Sequence, residues 1–292
     1  MPKLVSTLVR AQIALLKPVI ERMNLKSLRK LQDALGKLGT KALVANVCYI
    51  DEFFEEFEAA WARPTEPVPG KAILYLHGGA YTAGTLSYAK GFGGMLAEQT
   101  RREVLCVGYR LAPEYPHPAA LEDALEAYRR MLERFCPEDI AFVGESAGGG
   151  LCYCLCLKLK ELGTPLPGRI VALSPWTDLS MECARGADEL TDPILSKASL
   201  RYSALKYAAG RLTDPLVSPL FGDLRGLPES LIIAGTDEIL MNDSVEMAKS
   251  LCEAGSPCEL IVEEDMWHVF VLYGIPEAKE ALERIRAYVA GG

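Results

Sequence analysis

The stretch from Ile140 to Leu159 leaves a chain few folds to choose from. Ile140-Ala141-Phe142-Val143 is an apolar run of strand length, Gly144-Glu145-Ser146-Ala147-Gly148-Gly149-Gly150 follows, and Leu151 to Leu159 is apolar again. A strand that passes into a helix through a serine between glycines must turn too sharply for side chains beside it. The rest of the chain keeps the same rhythm. Strands are expected near 72–77, 104–109, 140–144, 170–174, 231–235 and 258–262, with helices near 88–100, 118–135, 147–162, 242–254 and 277–290. That alternation predicts an α/β fold, a mostly parallel sheet with helices on both faces.

On such a turn the Ser146 hydroxyl stands at the carboxyl end of its strand, and the new helix aims its positive end at the reacting centre. A serine nucleophile needs a base, and the chain holds three histidines: His77, His117 and His268. In the Ser–acid–His order only His268 qualifies, because it alone follows Ser146. It comes after a strand-like run, Cys258 to Val262, and the acidic loop Glu263-Glu264-Asp265. For the acid, Leu231-Ile232-Ile233-Ala234-Gly235 reads as a buried strand whose exit loop carries Asp237, on the side where open α/β sheets collect their ligands. Asp237 is therefore the expected acid. Asp178, at the exit of the strand Val171 to Ser174, is the rival, and bracing its own loop is its alternative role. Glu238 is adjacent to Asp237 and projects differently from the same turn.

A strand, Leu74-Tyr75-Leu76, runs into His77-Gly78-Gly79-Ala80. The N–H groups of Gly78, Gly79 and Ala147 are the candidate donors to the oxyanion that acyl transfer creates. His77 then reads as a residue that braces the loop. Several segments in register carry a resemblance: His77-Gly78-Gly79-Ala80, Tyr109 to Glu114, Pro118 to Ala124, Gly144 to Gly149, Asp214 to Pro219, Gly226-Leu227-Pro228 and Gly235-Thr236-Asp237. Over most of residues 65–290 the chain resembles the hormone-sensitive-lipase family of α/β-hydrolase esterases. The resemblance implies a Ser146–Asp237–His268 triad with Gly78, Gly79 and Ala147 as oxyanion donors. Three positions depart from the family pattern. Ala80 stands in place of a third glycine, Glu145 where aspartate is common, and Val269 where glycine often follows the histidine.

The reaction expected is hydrolysis of short- to medium-chain acyl esters by a serine carboxylesterase, through an acyl-enzyme and with neither metal nor organic cofactor. An amidase or peptidase with the same triad is the alternative chemistry. A small-ligand receptor of this fold is the alternative without chemistry, and the presence of His268 weighs against it. Residues 41–180 and 216–292 form the expected catalytic core; residues 1–40 and the insertion 181–215 form a helical cap.

Composition narrows the partners. A net charge of −8 at 292 residues excludes the basic surface that nucleic acid requires. No apolar run reaches the ~20 residues of a membrane span. Lys3, Arg10, Lys17 and Pro18 interrupt the apolar N-terminus, so no signal peptide is read there. Nine cysteines without a disulfide-like framework suit a reducing cytoplasm. Cys152, Cys154 and Cys156 read as small core residues rather than metal ligands. Two helical stripes, Leu4-Leu8-Ala11-Leu15-Val19 and Leu28-Leu31-Leu35-Leu38, are expected to pack on the core or form a homodimer face. The acidic balance of the whole chain disfavours their binding to anionic lipid.

Overall fold

The computed structural model describes residues 2–183 and 192–291. Two helices, α1 (Pro2–Ile20) and α2 (Leu25–Leu43), precede an antiparallel pair, β1 (Val47–Phe53) and β2 (Glu58–Pro64). The alternating unit then begins with β3 (Ala72–Leu76), α3 (Leu86–Thr100), β4 (Glu103–Gly108) and α4 (Ala119–Leu132). It continues through β5 (Ile140–Glu145), α5 (Ala147–Leu162), β6 (Arg169–Leu173) and a helix of the insertion, α6 (Lys197–Tyr207). It closes with β7 (Glu229–Gly235), α7 (Met241–Glu253), β8 (Cys258–Glu263) and α8 (Pro276–Ala290). The expected strands and helices of the core all form, each shifted by only a few residues.

One sheet results, in the order β1-β2-β4-β3-β5-β6-β7-β8, parallel from β4 to β8. Strands β3, β5, β6 and β7 are buried almost without interruption, as strands covered on both faces must be. Two hydrophobic clusters lie on the two faces. One joins α4, α5 and α7 to residues such as Phe142, Ala172 and Ile232; the other joins α3 and α8 to Val143, Val171 and Ile233. Successive residues of each strand thus feed opposite clusters, following the two-residue period of the pleat. Cys152, Cys154 and Cys156 lie fully buried in α5, as expected of small core residues.

The N-terminal helices correct one of the two packings expected of their stripes, that on the core. Both stripes form helices, but Leu4, Leu8, Leu15 and Val19 point away from the protein, 55–78% exposed, and Leu35 and Leu38 are also exposed. The reason lies on the opposite side of α1. Ser6, Arg10 and Lys17 turn inward, where Glu277, Asp237 and the Asp192 carbonyl accept their hydrogen bonds. Anchoring these polar groups leaves the leucines outside. Of the insertion expected at 181–215, α6 provides one helical pattern; residues 184–191 fall outside the described residues. Among the described residues, no helix is long and apolar enough to cross a membrane.

Candidate active site

Strand β5 ends against a backbone that only glycine tolerates on either side of Ser146. A Cβ on Gly144 would stand 2.3 Å from the Gly148 carbonyl oxygen, and one on Gly148 would stand 2.0 Å from the Leu76 oxygen. Those gaps let the first turn of α5 lie directly on the end of β3. Ser146 itself takes φ 55° and ψ −122°, a conformation costly for a residue with a Cβ. It is held there because its N–H donates to the Leu173 oxygen (2.8 Å) while its own oxygen accepts from Trp176 N (2.9 Å). The hydroxyl is left at the carboxyl end of the sheet and the N-terminus of α5.

His268 arrives from the loop after β8. Its Nε2 lies 3.0 Å from Ser146 Oγ, and its Nδ1 lies 2.6 Å from Glu238 Oε2. An ionised carboxylate only accepts, so Nδ1 carries the proton and Nε2 keeps the lone pair that faces the serine. The expectation of Asp237 as the acid is therefore corrected. Asp237 points outward to Arg10, whereas Glu238 is 4% exposed and turns under the histidine. Two donors fix that direction: Ser174 Oγ (2.9 Å) and Gly235 N (2.8 Å) both reach Glu238 Oε1, leaving Oε2 for His268. Ser174 Oγ also accepts from Val269 N at 3.0 Å, which ties the histidine loop to the same point. Asp178 takes the bracing role: Oδ1 accepts from Ser180 N and Oδ2 from Cys183 N.

The loop after β3 brings a second correction. The Gly78 N–H donates to Glu145 Oε1 at 2.6 Å, so it is committed inside the protein and does not face the serine as expected. By contrast, the N–H groups of Gly79, Ala80 and Ala147 have no hydrogen-bond partner among the described residues. Ala80 and Tyr81 take positive φ, 51° and 60°, as the loop turns back so that Thr82 and Ala83 N–H groups close on the Gly79 oxygen. Ala80 is not among the donors expected from the sequence. Oxyanion binding uses the backbone, for which a methyl group is no obstacle.

Two buried groups hold this loop. Glu145 also accepts from Tyr75 (2.7 Å) and Tyr88 (3.2 Å); burial nevertheless raises its pKa to about 7, outweighing those donors. His77 stacks on Tyr109 with ring centres 4.2 Å apart, and its Nδ1 sits 2.6 Å from the Gly78 oxygen. Burial lowers its pKa to about 4, so it is a neutral brace, the role expected from the sequence. Ser174 and Glu145 are the residues that sequence reasoning did not place at the site. Neither stands in a motif that announces its partner.

The comparisons with known proteins agree with this fold. The profile of a family described by the α/β hydrolase fold matches residues 73–272. An acetyl-hydrolase of Streptomyces hygroscopicus is 39% identical over 241 residues, 79% of this chain and 79% of its own length. An ethyl acetate hydrolase of Pseudomonas putida is 35% identical over 241 residues, 75% of this chain and 74% of its own. Among solved structures, an esterase from the bacterial hormone-sensitive lipase family superposes with a TM-score of 0.88 at 30% identity, covering 96% of both chains. A hormone-sensitive lipase from a metagenome library gives a TM-score of 0.88 at 32% identity, covering 97% of both chains.

Proposed function

Because the chain belongs to the α/β-hydrolase-fold family, among its bacterial hormone-sensitive-lipase-type esterases, and is a carboxylic ester hydrolase, we propose the following division of labour at its site. Ser146 Oγ attacks the ester carbonyl while His268 Nε2 takes its proton. Glu238 keeps the imidazole in the tautomer that can do so and stabilises the imidazolium that forms. The N–H groups of Gly79, Ala80 and Ala147 donate to the oxyanion of the tetrahedral intermediate, helped by the positive end of α5. His268 then protonates the departing alcohol. A water, activated by the same histidine, attacks the acyl-enzyme, and the carboxylic acid leaves as Ser146 recovers its proton. The observation that carries this reading is the unbroken chain Glu238–His268–Ser146 at 2.6 and 3.0 Å.

The substrate we infer is a small ester of a short to medium acyl chain. The acetate-cleaving activities in the names of two relatives support the short end of that range. Residues 1–40, with 181–215, act as a cap that walls the acyl side. Two contacts support this: α1 anchors on the Asp237 loop, and α2 reaches the loop after β3, where Arg29 donates to the Thr82 oxygen at 2.8 Å. Nine free thiols support a cytoplasmic enzyme. The test is kcat/KM across p-nitrophenyl esters from acetate to palmitate. Each methylene that fits gains about 0.8 kcal/mol, roughly fourfold. Efficiency is expected to climb to butyrate or hexanoate and collapse by dodecanoate; a preference for palmitate refutes the walled pocket.

A further inference from the structure

Helix α1 is amphipathic the wrong way round for a helix that packs on a protein. Its inward side carries Ser6, Arg10 and Lys17 beside Val9 and Ile13, all hydrogen-bonded or packed against the body. Its outward side carries Leu4, Val5, Leu8, Leu15, Leu16 and Val19, 47–78% exposed. At 100° per residue those six fall within about a third of the helix circumference, an apolar face in which Gln12 is the one polar residue. Exposed apolar patches of this kind mark a binding surface.

Charge identifies what covers it. Residues 1–43 hold nine Lys and Arg against two acidic residues, a net +7, so in a chain of net −8 the remainder carries −15. The overall acidity that disfavours anionic partners therefore belongs to the body, not to this N-terminal segment. Just past α1, Arg22, Lys26, Lys30 and Lys37 are exposed and have no carboxylate partner among the described residues. An apolar face followed in the chain by unpaired cations matches an anionic lipid surface, whose acyl boundary takes the leucines and whose headgroups take the lysines. Packing the same face of a second copy against it would bring two +7 segments together.

We propose that the N-terminal segment of α1 and α2 docks the enzyme on anionic lipid surfaces through the outer face of α1. Arg10 holds α1, and Arg29 holds α2, on the two loops beside Ser146, so docking sets the catalytic end of the sheet against the lipid surface. The site is served from that side without any segment crossing the bilayer.

The test is co-sedimentation of the full chain with vesicles of phosphatidylcholine containing a quarter phosphatidylglycerol, against pure phosphatidylcholine. Binding is expected to the mixed vesicles, at least tenfold weaker to the pure ones, and weakened by high salt. Leu8→Glu with Leu15→Glu should reduce it at least tenfold. Lys26→Gln, Lys30→Gln and Lys37→Gln together should do the same at about fivefold or less per cation. Both variants should hydrolyse dissolved p-nitrophenyl butyrate within twofold of the parent. The lysine variant alters only exposed positions, which keeps the test open should the leucine variant unfold. Equal binding to both vesicles, or no binding to either, overturns the proposal. So does wild-type self-association in sedimentation equilibrium that L8E/L15E abolishes without any vesicle binding, which would make the face a contact between copies.

Discussion

Replacing Glu238 by glutamine changes one atom, and the structure says which way the amide turns. Glu238 Oε1 accepts from two donors, Ser174 Oγ at 2.9 Å and Gly235 N at 2.8 Å. The glutamine carbonyl stays with them, because an amide nitrogen there would face the Gly235 N–H and leave a buried donor unsatisfied, at about 1–3 kcal/mol. The NH2 group is thereby forced onto the Oε2 position, 2.6 Å from His268 Nδ1. Facing a donor, Nδ1 must give up its hydrogen, the proton moves to Nε2, and Nε2 no longer accepts from Ser146. A wrong-tautomer histidine costs on the order of 10⁴ in kcat, about 5 kcal/mol of transition-state stabilisation. Asp237→Asn provides the contrast. It removes a half-exposed pair with Arg10, worth at most about 1 kcal/mol of stability, and should leave kcat within about threefold. Both variants are assayed on p-nitrophenyl butyrate after thermal unfolding confirms that they fold. A Glu238→Gln enzyme keeping more than a tenth of the activity, or an Asp237→Asn enzyme losing more than a hundredfold, refutes the tautomer argument.

Gly148→Ala places a methyl 2.0 Å from the Leu76 oxygen, so the first turn of α5 must move, carrying the Ala147 N–H with it. About 1–3 kcal/mol of stability should be lost, with kcat falling about a hundredfold; unchanged kcat in a folded variant contradicts the close-approach reading. For Glu145, burial lifts the folded pKa from the ordinary 4.5 to about 7. Below 4.5 the group is neutral in both states; between 4.5 and 7 only the unfolded chain releases the proton, so stability falls by about 3 kcal/mol and then levels. Urea unfolding of wild type and Glu145→Gln across that range should show a difference that changes by this amount. A difference independent of pH refutes the burial argument.

The core was readable because strands covered on both faces are continuous apolar runs, and β3, β5, β6 and β7 are such runs. Ser146 was readable from the glycines that its turn requires, and His268 because no other histidine follows it. The acid was not. Asp237 and Glu238 are neighbours on one turn, and what separates them is Ser174, which lies 64 positions from Glu238 in the chain and close to it only in the fold. The candidate oxyanion donors were readable only in part for the same reason: Glu145, far from Gly78 in the chain, claims its N–H. In α1 the helical spacing was correct but the buried side was reversed. Periodicity reports that a face is apolar; it does not report that Glu277 and Asp237 wait for the other one.

The proposed mechanism requires that one serine, activated by His268, forms the covalent intermediate. Titration with diethyl p-nitrophenyl phosphate tests it directly, because the phosphorylated enzyme mimics the tetrahedral species and turns over too slowly to be lost. Release of p-nitrophenol and residual activity are followed together, and the labelled peptide is sequenced by mass spectrometry. About one equivalent should be released at full inactivation, with the diethylphosphoryl group on Ser146 alone and labelling abolished in His268→Ala. Full inactivation with Ser146 unmodified, or labelling as fast without His268, would contradict it.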